Sequence, residues 1–155
     1  MPCLVLFQPE IPPNTGNVAR TCAATCTELH LIDPLGFEIS DRTLKRAGLD
    51  YWPWVDLQRH RCWDTFLQVR SERGGRLLGL SRHASVPYTS LQYKANDWLL
   101  FGRETSGLPV EVLDACDARL TIPMPGAVEH GGGVRSLNLA TAAGVVLFEA
   151  LRQLQ

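Results

Sequence analysis

Short apolar runs alternate along this chain with stretches of helical periodicity. Cys3–Phe7 (CLVLF) is apolar at every position, which predicts a strand buried on both faces. Gln8–Pro13 holds three prolines and cannot extend it. Asn14 or Thr15 can cap a helix running to about Cys26, with Val18, Cys22 and Cys26 on one face. Leu29–Ile32 predicts a second strand, stopped by Asp33-Pro34. Asp41 caps a short helix bearing Arg42, Lys45 and Arg46 and ending near Gly48, whereas Tyr51–Leu57 is ambiguous. A helix near Trp63–Arg73 is broken by Gly74-Gly75. Further strands are expected at Arg76–Leu80, Trp98–Phe101 and Arg119–Ile122, a short helix at Pro109–Cys116, and a long helix at Ser136–Leu154 with Ser136 as its cap.

This rhythm predicts an α/β fold, a mostly parallel sheet flanked by helices. No repeat, low-complexity segment or linker divides it, so residues 1–155 read as a single domain. The last helix says more. From Leu137 to Leu151 its only plainly polar residues are Asn138, Thr141 and Glu149. A helix apolar nearly all round must be covered nearly all round. One small sheet covers one side; a second copy of the chain is the simplest cover for the other, with burial inside the monomer as the alternative.

Composition adds exclusions. Hydrophobic residues at 45% and charged ones at 20% exclude a disordered chain. Fifteen basic against sixteen acidic side chains leave a formal charge of -1, so no overall field draws nucleic acid. The basic side is nonetheless thirteen Arg to two Lys. Arg grips phosphate and stacks on bases better than Lys, which leaves open a local RNA site as well as a plain compositional bias. Met1–Phe7 lacks the basic flank of a secretory leader, and no run approaches the ~20 apolar residues of a membrane span. Five cysteines, an odd number without framework spacing, point to free thiols in a reducing cytoplasm. His60 and Cys62 have no second pair to complete a tetrahedral site, so no metal is expected.

The familiar glycine and nucleophile signatures fail. Gly102–Gly107 (GRETSG) has the outer spacing of a phosphate loop, but Leu108 stands where Lys is required. No G-x-G-x-x-G opens the first helix, and Ser81, Ser106 and Ser136 lack a nucleophile elbow. Gly131–Gly133 could admit a ligand to the backbone or form a slack loop; spacing alone favours the loop. What remains is three loops following strands, Pro12–Arg20, Gly102–Pro109 and Pro123–Asn138, at the sheet edge where ligands bind in open α/β folds.

Those loops carry a resemblance. Asn14-Thr15-Gly16-Asn17 with Arg20, then Phe101-Gly102-Arg103-Glu104-Thr105-Ser106-Gly107-Leu108-Pro109, then Ile122-Pro123-Met124 with Ser136-Leu137-Asn138-Leu139 resemble, in order, the three motifs of the SpoU branch of the SPOUT RNA methyltransferases. The match runs from Leu4 to about Leu154. The opening Pro9-Glu10-Ile11-Pro12-Pro13, the stretch Arg46-Ala47-Gly48-Leu49-Asp50-Tyr51 and the lack of an added N-terminal RNA-binding domain resemble the minimal tRNA wobble-position 2′-O-methyltransferases. One departure stands out: Pro125–Val134, with Glu129 and His130, is longer and richer in glycine than the family's usual loop.

The resemblance implies a C-terminal trefoil knot, which chain-topology rules alone would argue against. It also implies a homodimer in which one subunit's first motif stands beside the other's S-adenosylmethionine. By position, donor contacts fall on Leu80, Gly102, Ile122 and Ser136; read without the family, these are core, a turn and a helix cap. Arg20 becomes the residue nearest the acceptor hydroxyl, with Asn14, Glu104 and Asn138 orienting it and the loops. A guanidinium of pKa above ~12 hardly ever deprotonates, so Arg20 fits better as a clamp on the RNA phosphate and a stabiliser of the developing alkoxide than as a base.

The implied substrate is the wobble nucleotide, C34 or a modified U34, of leucine tRNAs, read at the anticodon loop by Arg42, Lys45, Arg46 and Tyr51 with Arg59, Arg61, Trp52 and Trp54 nearby. DNA has no 2′-hydroxyl and should be inert. The alternatives are a knotted tRNA- or cofactor-binding protein without turnover, and a SpoU enzyme acting on another tRNA or rRNA ribose.

Overall fold

The computed structural model describes residues 1–40 and 52–155. The expected short helix after Asp41, and with it Arg42, Lys45, Arg46 and Tyr51, lies outside the described residues. In chain order the described elements are β1 (Cys3–Phe7), α1 (Pro12–Thr25), β2 (Leu29–Ile32), β3 (Leu57–His60), α2 (Trp63–Arg73), β4 (Leu77–Leu80) and β5 (Val86–Pro87). Then come β6 (Trp98–Phe101), α3 (Val110–Asp114), β7 (Ala118–Thr121), α4 (Pro125–Glu129) and α5 (Leu139–Leu154).

All seven strands pair in parallel, in the order β3-β2-β1-β6-β4-β7-β5. The apolar run of β1 is explained by its central place. Leu4 and Leu6 point into one core layer with Val18 and Cys22 of α1 and Val146 and Leu147 of α5. Cys3, Val5 and Phe7 point into the other, with Phe66 of α2 and Val112 of α3. A strand with helices on both faces has no solvent side, so neither set of alternating residues can be polar. β6 divides in the same way, Leu99 and Phe101 one way and Trp98 and Leu100 the other.

Several boundaries depart from the sequence reading. Helix α1 begins at Pro12 with Ile11 as N-cap, not at Asn14 or Thr15. Proline's fixed φ and missing N–H suit the first helical turn, so the prolines that end β1 also start α1. Cys26 lies just past the helix as its left-handed cap, with φ 54°. Helix α5 begins at Leu139, capped by Asn138 rather than Ser136; Asn138 Oδ1 accepts from the N–H groups of Ala140 and Thr141. Strand β3 (LQRH) comes from polar, edge-strand sequence beyond the ambiguous stretch, and β5 is two residues long; neither shows a readable period. Part of the extended Pro125–Val134 segment is the one-turn-plus helix α4.

The long C-terminal helix is not covered all round within one chain. Ala143, Val146, Leu147 and Ala150 are buried, while Phe148 is 57% exposed and Thr141 is exposed. No helix among the described residues is long and apolar enough to cross a membrane.

Candidate active site

Adjacent strands β1 and β6 send their chains to opposite faces of the sheet, to α1 and to α3. That reversal opens a crevice at the C-terminal edge, the usual ligand position in such sheets. A cleft of about 370 Å³ occupies it, bounded by the ends of β4, β6 and β7 and by the loops after β1 and before α5.

The loop after β6 is wound tightly on itself. Arg103 N–H donates to Gly107 O at 3.2 Å and Gly107 N–H to Arg103 O at 2.9 Å, with Gly107 in the left-handed region at φ +69°. Gly102 is the seat of this turn: a Cβ there would lie 2.2 Å from Gly107 C and 2.4 Å from Leu108 N. The close backbone approach that Gly102 permits is thus made by the chain's own loop, although Gly102 still lines the cleft. Arg103 anchors the turn from outside, donating from Nε to Gln8 Oε1 at 2.9 Å and lying 5.0 Å from the centre of the Phe7 ring.

Glu104 then reaches the start of α1. Its carboxylate accepts from Glu10 N–H at 2.8 Å, Ile11 N–H at 3.0 Å and Asn14 Nδ2 at 3.4 Å. A negative group at a helix N-terminus meets both unsatisfied N–H groups and the positive end of the helix dipole. The exchange is reciprocal, because Glu10 Oε1 accepts from Thr105 N–H at 3.2 Å and Thr105 Oγ1 at 2.8 Å. Asn14, buried on α1, passes the link on: its Oδ1 accepts from Asn138 Nδ2 at 2.8 Å. One side-chain network therefore ties the loops after β1 and β6 to the start of α5.

Of the positions expected at a site, Asn14, Leu80, Gly102, Glu104, Ile122, Ser136 and Asn138 all line this cleft. Arg20 does not. It lies exposed on α1, beyond Asn14 along the helix, and outside the lining of its own cleft. None of Gly131–Gly133 lines the cleft either. The expected stacking pair divides: Trp52 packs against the core, whereas Trp54 is 72% exposed. Arg59 pairs with Asp33 at 2.9 Å. Sequence reading missed Glu10, Thr105, Gln8 and Arg103 as positioning residues. The available signal was a proline-started helix, whose free N–H groups call for an acceptor, although its source, Glu104, lies 93 residues from Ile11.

The opposite edge of the sheet holds other ionisable groups. Cys3, Glu28 and His30 have ligand-type atoms within 4.8 Å of one another. The donor set is wrong for a cation. Arg73 already bonds both Glu28 oxygens, at 2.9 and 2.8 Å, and burial pushes the Cys3 thiol up to about 11. His30 Nδ1 lies 2.8 Å from His60 Nε2, and its own Nε2 is 3.1 Å from Glu28 Oε1 without forming a hydrogen bond. All five cysteines are free thiols.

Residues 1–148 match the SpoU rRNA Methylase family profile. The chain belongs to the SpoU methylase family. Family members of known activity align along nearly its whole length. The tRNA (cytidine(34)-2′-O)-methyltransferase of Yersinia pestis is 46% identical over 97% of this chain and 93% of its own. The Escherichia coli K12 enzyme of the same name is 43% identical over 97% and 92%. A solved structure described by the 2-OH methylation of C/U34 on tRNA superposes with TM-score 0.90 at 52% identity, covering 99% of this chain and 96% of that one. An AdoMet-bound rRNA methyltransferase from Sinorhizobium meliloti superposes with TM-score 0.85 at 29% identity, over 99% of this chain and 57% of that one.

Proposed function

We propose that this chain is a tRNA methyltransferase that moves a methyl group from S-adenosylmethionine to the 2′-hydroxyl of the wobble nucleotide, C34 or a modified U34, in leucine tRNAs. The observation that carries the reading is the bonding of Asn14 to both Glu104 and Asn138, which draws the three motif loops around one cleft. The relatives that align end to end with the chain bear the name of that activity.

The cleft suits the donor. Its volume lies within the ~300–1,000 Å³ of small-molecule sites, and its walls combine apolar side chains with the backbone groups of strand ends. Leu80, Gly102, Ile122 and Ser136 would hold the donor, which when bound supplies a methyl group on a positively charged sulfonium. The chain's own work is alignment. The Glu104–Asn14–Asn138 network holds the loops at fixed separation, so the acceptor meets a preformed surface and little reorganisation remains for the reacting geometry.

Arg20 lies outside its own cleft, which supports a homodimer in which each α1 serves the partner's site. The exposed apolar face of α5, Phe148 included, supports the same assembly. There Arg20 would clamp a phosphate and offset charge on the acceptor oxygen as its proton leaves. Arg42, Lys45, Arg46 and Tyr51 would hold the anticodon loop. The C-terminal trefoil knot belongs to this reading, supported by β7 pairing between β4 and β5 while α5 returns to pack on α1 and β6. Five free thiols fit work in the cytoplasm.

Methyl-labelled donor, incubated with the protein and leucine tRNA transcripts and followed by nuclease mapping, tests it. Label is expected on the first anticodon nucleotide and none on DNA. A methyl in the D-loop or in rRNA overturns the substrate, and absence of transfer with intact donor binding overturns the enzyme.

A further inference from the structure

A second hollow, of about 410 Å³, adjoins the donor cleft. The two share Arg82, His83, Thr121, Ile122, Met124 and Arg135 in their walls. The far wall comes from the extended segment between β7 and α5, through Ala127, Val128 and Gly132. The segment between β7 and α5 thus helps to build a chamber beside the donor cleft.

Its charge is one-sided: two Arg and one His line it, and no Asp or Glu does. Several other guanidinium groups are neutralised, as in Arg70–Asp117, Arg73–Glu28, Arg76–Asp97 and Arg119–Asp114, although Arg103 bonds only the neutral Gln8. Among the described residues Arg82 and Arg135 form no ion pair. Arg82 Nε donates to the neighbouring His83 Nε2 at 3.2 Å. Arg135 Nη2 lies 3.2 Å from where a Cβ on Gly132 would stand, so the glycine leaves room for the guanidinium to cross the loop. Two unneutralised guanidinium groups facing one concave space focus a positive potential there, and their planar donor forks match phosphate oxygens.

The donor itself is the less suited occupant. Its ammonium and sulfonium favour a carboxylate nearby, which the donor cleft has in Glu104 and the hollow lacks, so the hollow suits the donor less well than the cleft does. A phosphodiester brings negative charge alone. We infer that this hollow holds a phosphodiester of the RNA substrate flanking the methylated ribose, gripped by Arg82 and Arg135. The inference rests on the tRNA-methylating reading above, and it assigns a backbone-positioning role that carries no base specificity.

The test is tRNA affinity measured across salt concentrations for the wild type, the double variant Arg82→Ala/Arg135→Ala, and Arg82→Lys/Arg135→Lys, using a leucine tRNA transcript. S-adenosylmethionine affinity is read in parallel by calorimetry. The Ala pair should bind tRNA at least ~10-fold more weakly at low salt, with the slope of log affinity against log salt shallower by about 0.7 for each phosphate no longer neutralised. The Lys pair should retain the wild-type slope, and in both pairs donor affinity should fall by a smaller factor than tRNA affinity does in the Ala pair. An unchanged slope in the Ala pair overturns the inference while leaving the proposed function in place. So does a loss confined to donor affinity, which would make the hollow a carboxylate subsite. A wild type that binds no tRNA overturns both.

Discussion

Asn138 Nδ2 donates a hydrogen bond to Asn14 Oδ1 at 2.8 Å, joining side chains 124 residues apart. At its other end the Asn14 amide donates to Glu104. The amide is thereby fixed at both ends, an acceptor toward Asn138 and a donor toward the carboxylate. Rotating it would place NH2 against NH2 on one side and oxygen against carboxylate on the other, so the network admits one orientation. Asn138 in turn spends its own oxygen on the cap of α5. Each polar atom at this junction thus has a separate task.

That division of labour makes Asn138 separable by substitution. Asn138→Asp keeps a cap of equal quality but cannot donate to Asn14, whichever way Asn14 turns. Its stability in urea should stay within about 1 kcal/mol of wild type while kcat/KM for tRNA falls at least ~10-fold. Asn138→Ala should lose the same activity and, in addition, roughly 1 kcal/mol of stability through the lost cap. Equal activity in the Asp variant would separate the network from catalysis.

Gly102→Ala places a methyl group against the backbone of Gly107 and Leu108, not against a side chain that can turn away. The loop must move or strain, at about 1–3 kcal/mol. Calorimetry should show donor affinity reduced by at least ~10-fold, because the displaced loop forms a wall of the cleft. Donor binding at wild-type strength would show that the loop relaxes without consequence.

Arg20→Ala should abolish turnover and leave donor affinity within about tenfold, a shift below ~1.4 kcal/mol. Mixing it with Gly102→Ala protein under subunit exchange gives a sharper readout. If Arg20 serves the partner's cleft, the mixed dimer regains one complete site and part of the activity. At donor concentrations too low for Gly102→Ala to turn over, a mixture that gains no activity over its parents would place Arg20 in its own subunit's chemistry.

Phe148→Lys puts a charge on the exposed face of α5 without touching its buried face. Wild type should sediment as a dimer at micromolar concentration. The variant should sediment as a monomer, keep its circular dichroism and lose activity. An active monomer would be incompatible with a site shared between subunits.

The buried His30 makes the fold sensitive to acid. Burial pushes its imidazole down to about 4, with His60 and Arg73 acting in the same direction and Glu28 opposing. The unfolded chain, with an ordinary imidazole near 6.5, binds a proton that the folded chain refuses until about pH 4. The stability linked to this site is therefore complete above pH 6.5 and declines as pH falls from 6.5 to 4. The full effect is on the order of 3 kcal/mol. Urea midpoints across this range should fall for wild type and fall less steeply for His30→Gln.

How much of this is legible in the sequence follows from the range of the interactions concerned. β1 and β6 are readable because double-sided burial leaves an unbroken apolar run, and the end of α2 because Gly74-Gly75 breaks a helix. The polar β3 and the two-residue β5 are not, since edge pairing makes no demand on side-chain pattern. Motif order points to the loops after β1, β6 and β7 and to an apolar final helix in need of cover. Only the tertiary structure decided that α1 starts at Pro12, that Asn138 rather than Ser136 caps α5, and that Glu104 accepts from Glu10 N–H while the Glu10 carboxylate accepts from Thr105. It also decided that Arg82 and Arg135 face one hollow. Caps and buried amides are chosen by partners 90 or 124 residues away, as Asn14 is by Glu104 and Asn138. A local sequence window holds the propensities for such contacts, and only the folded sheet brings the partners within hydrogen-bonding distance.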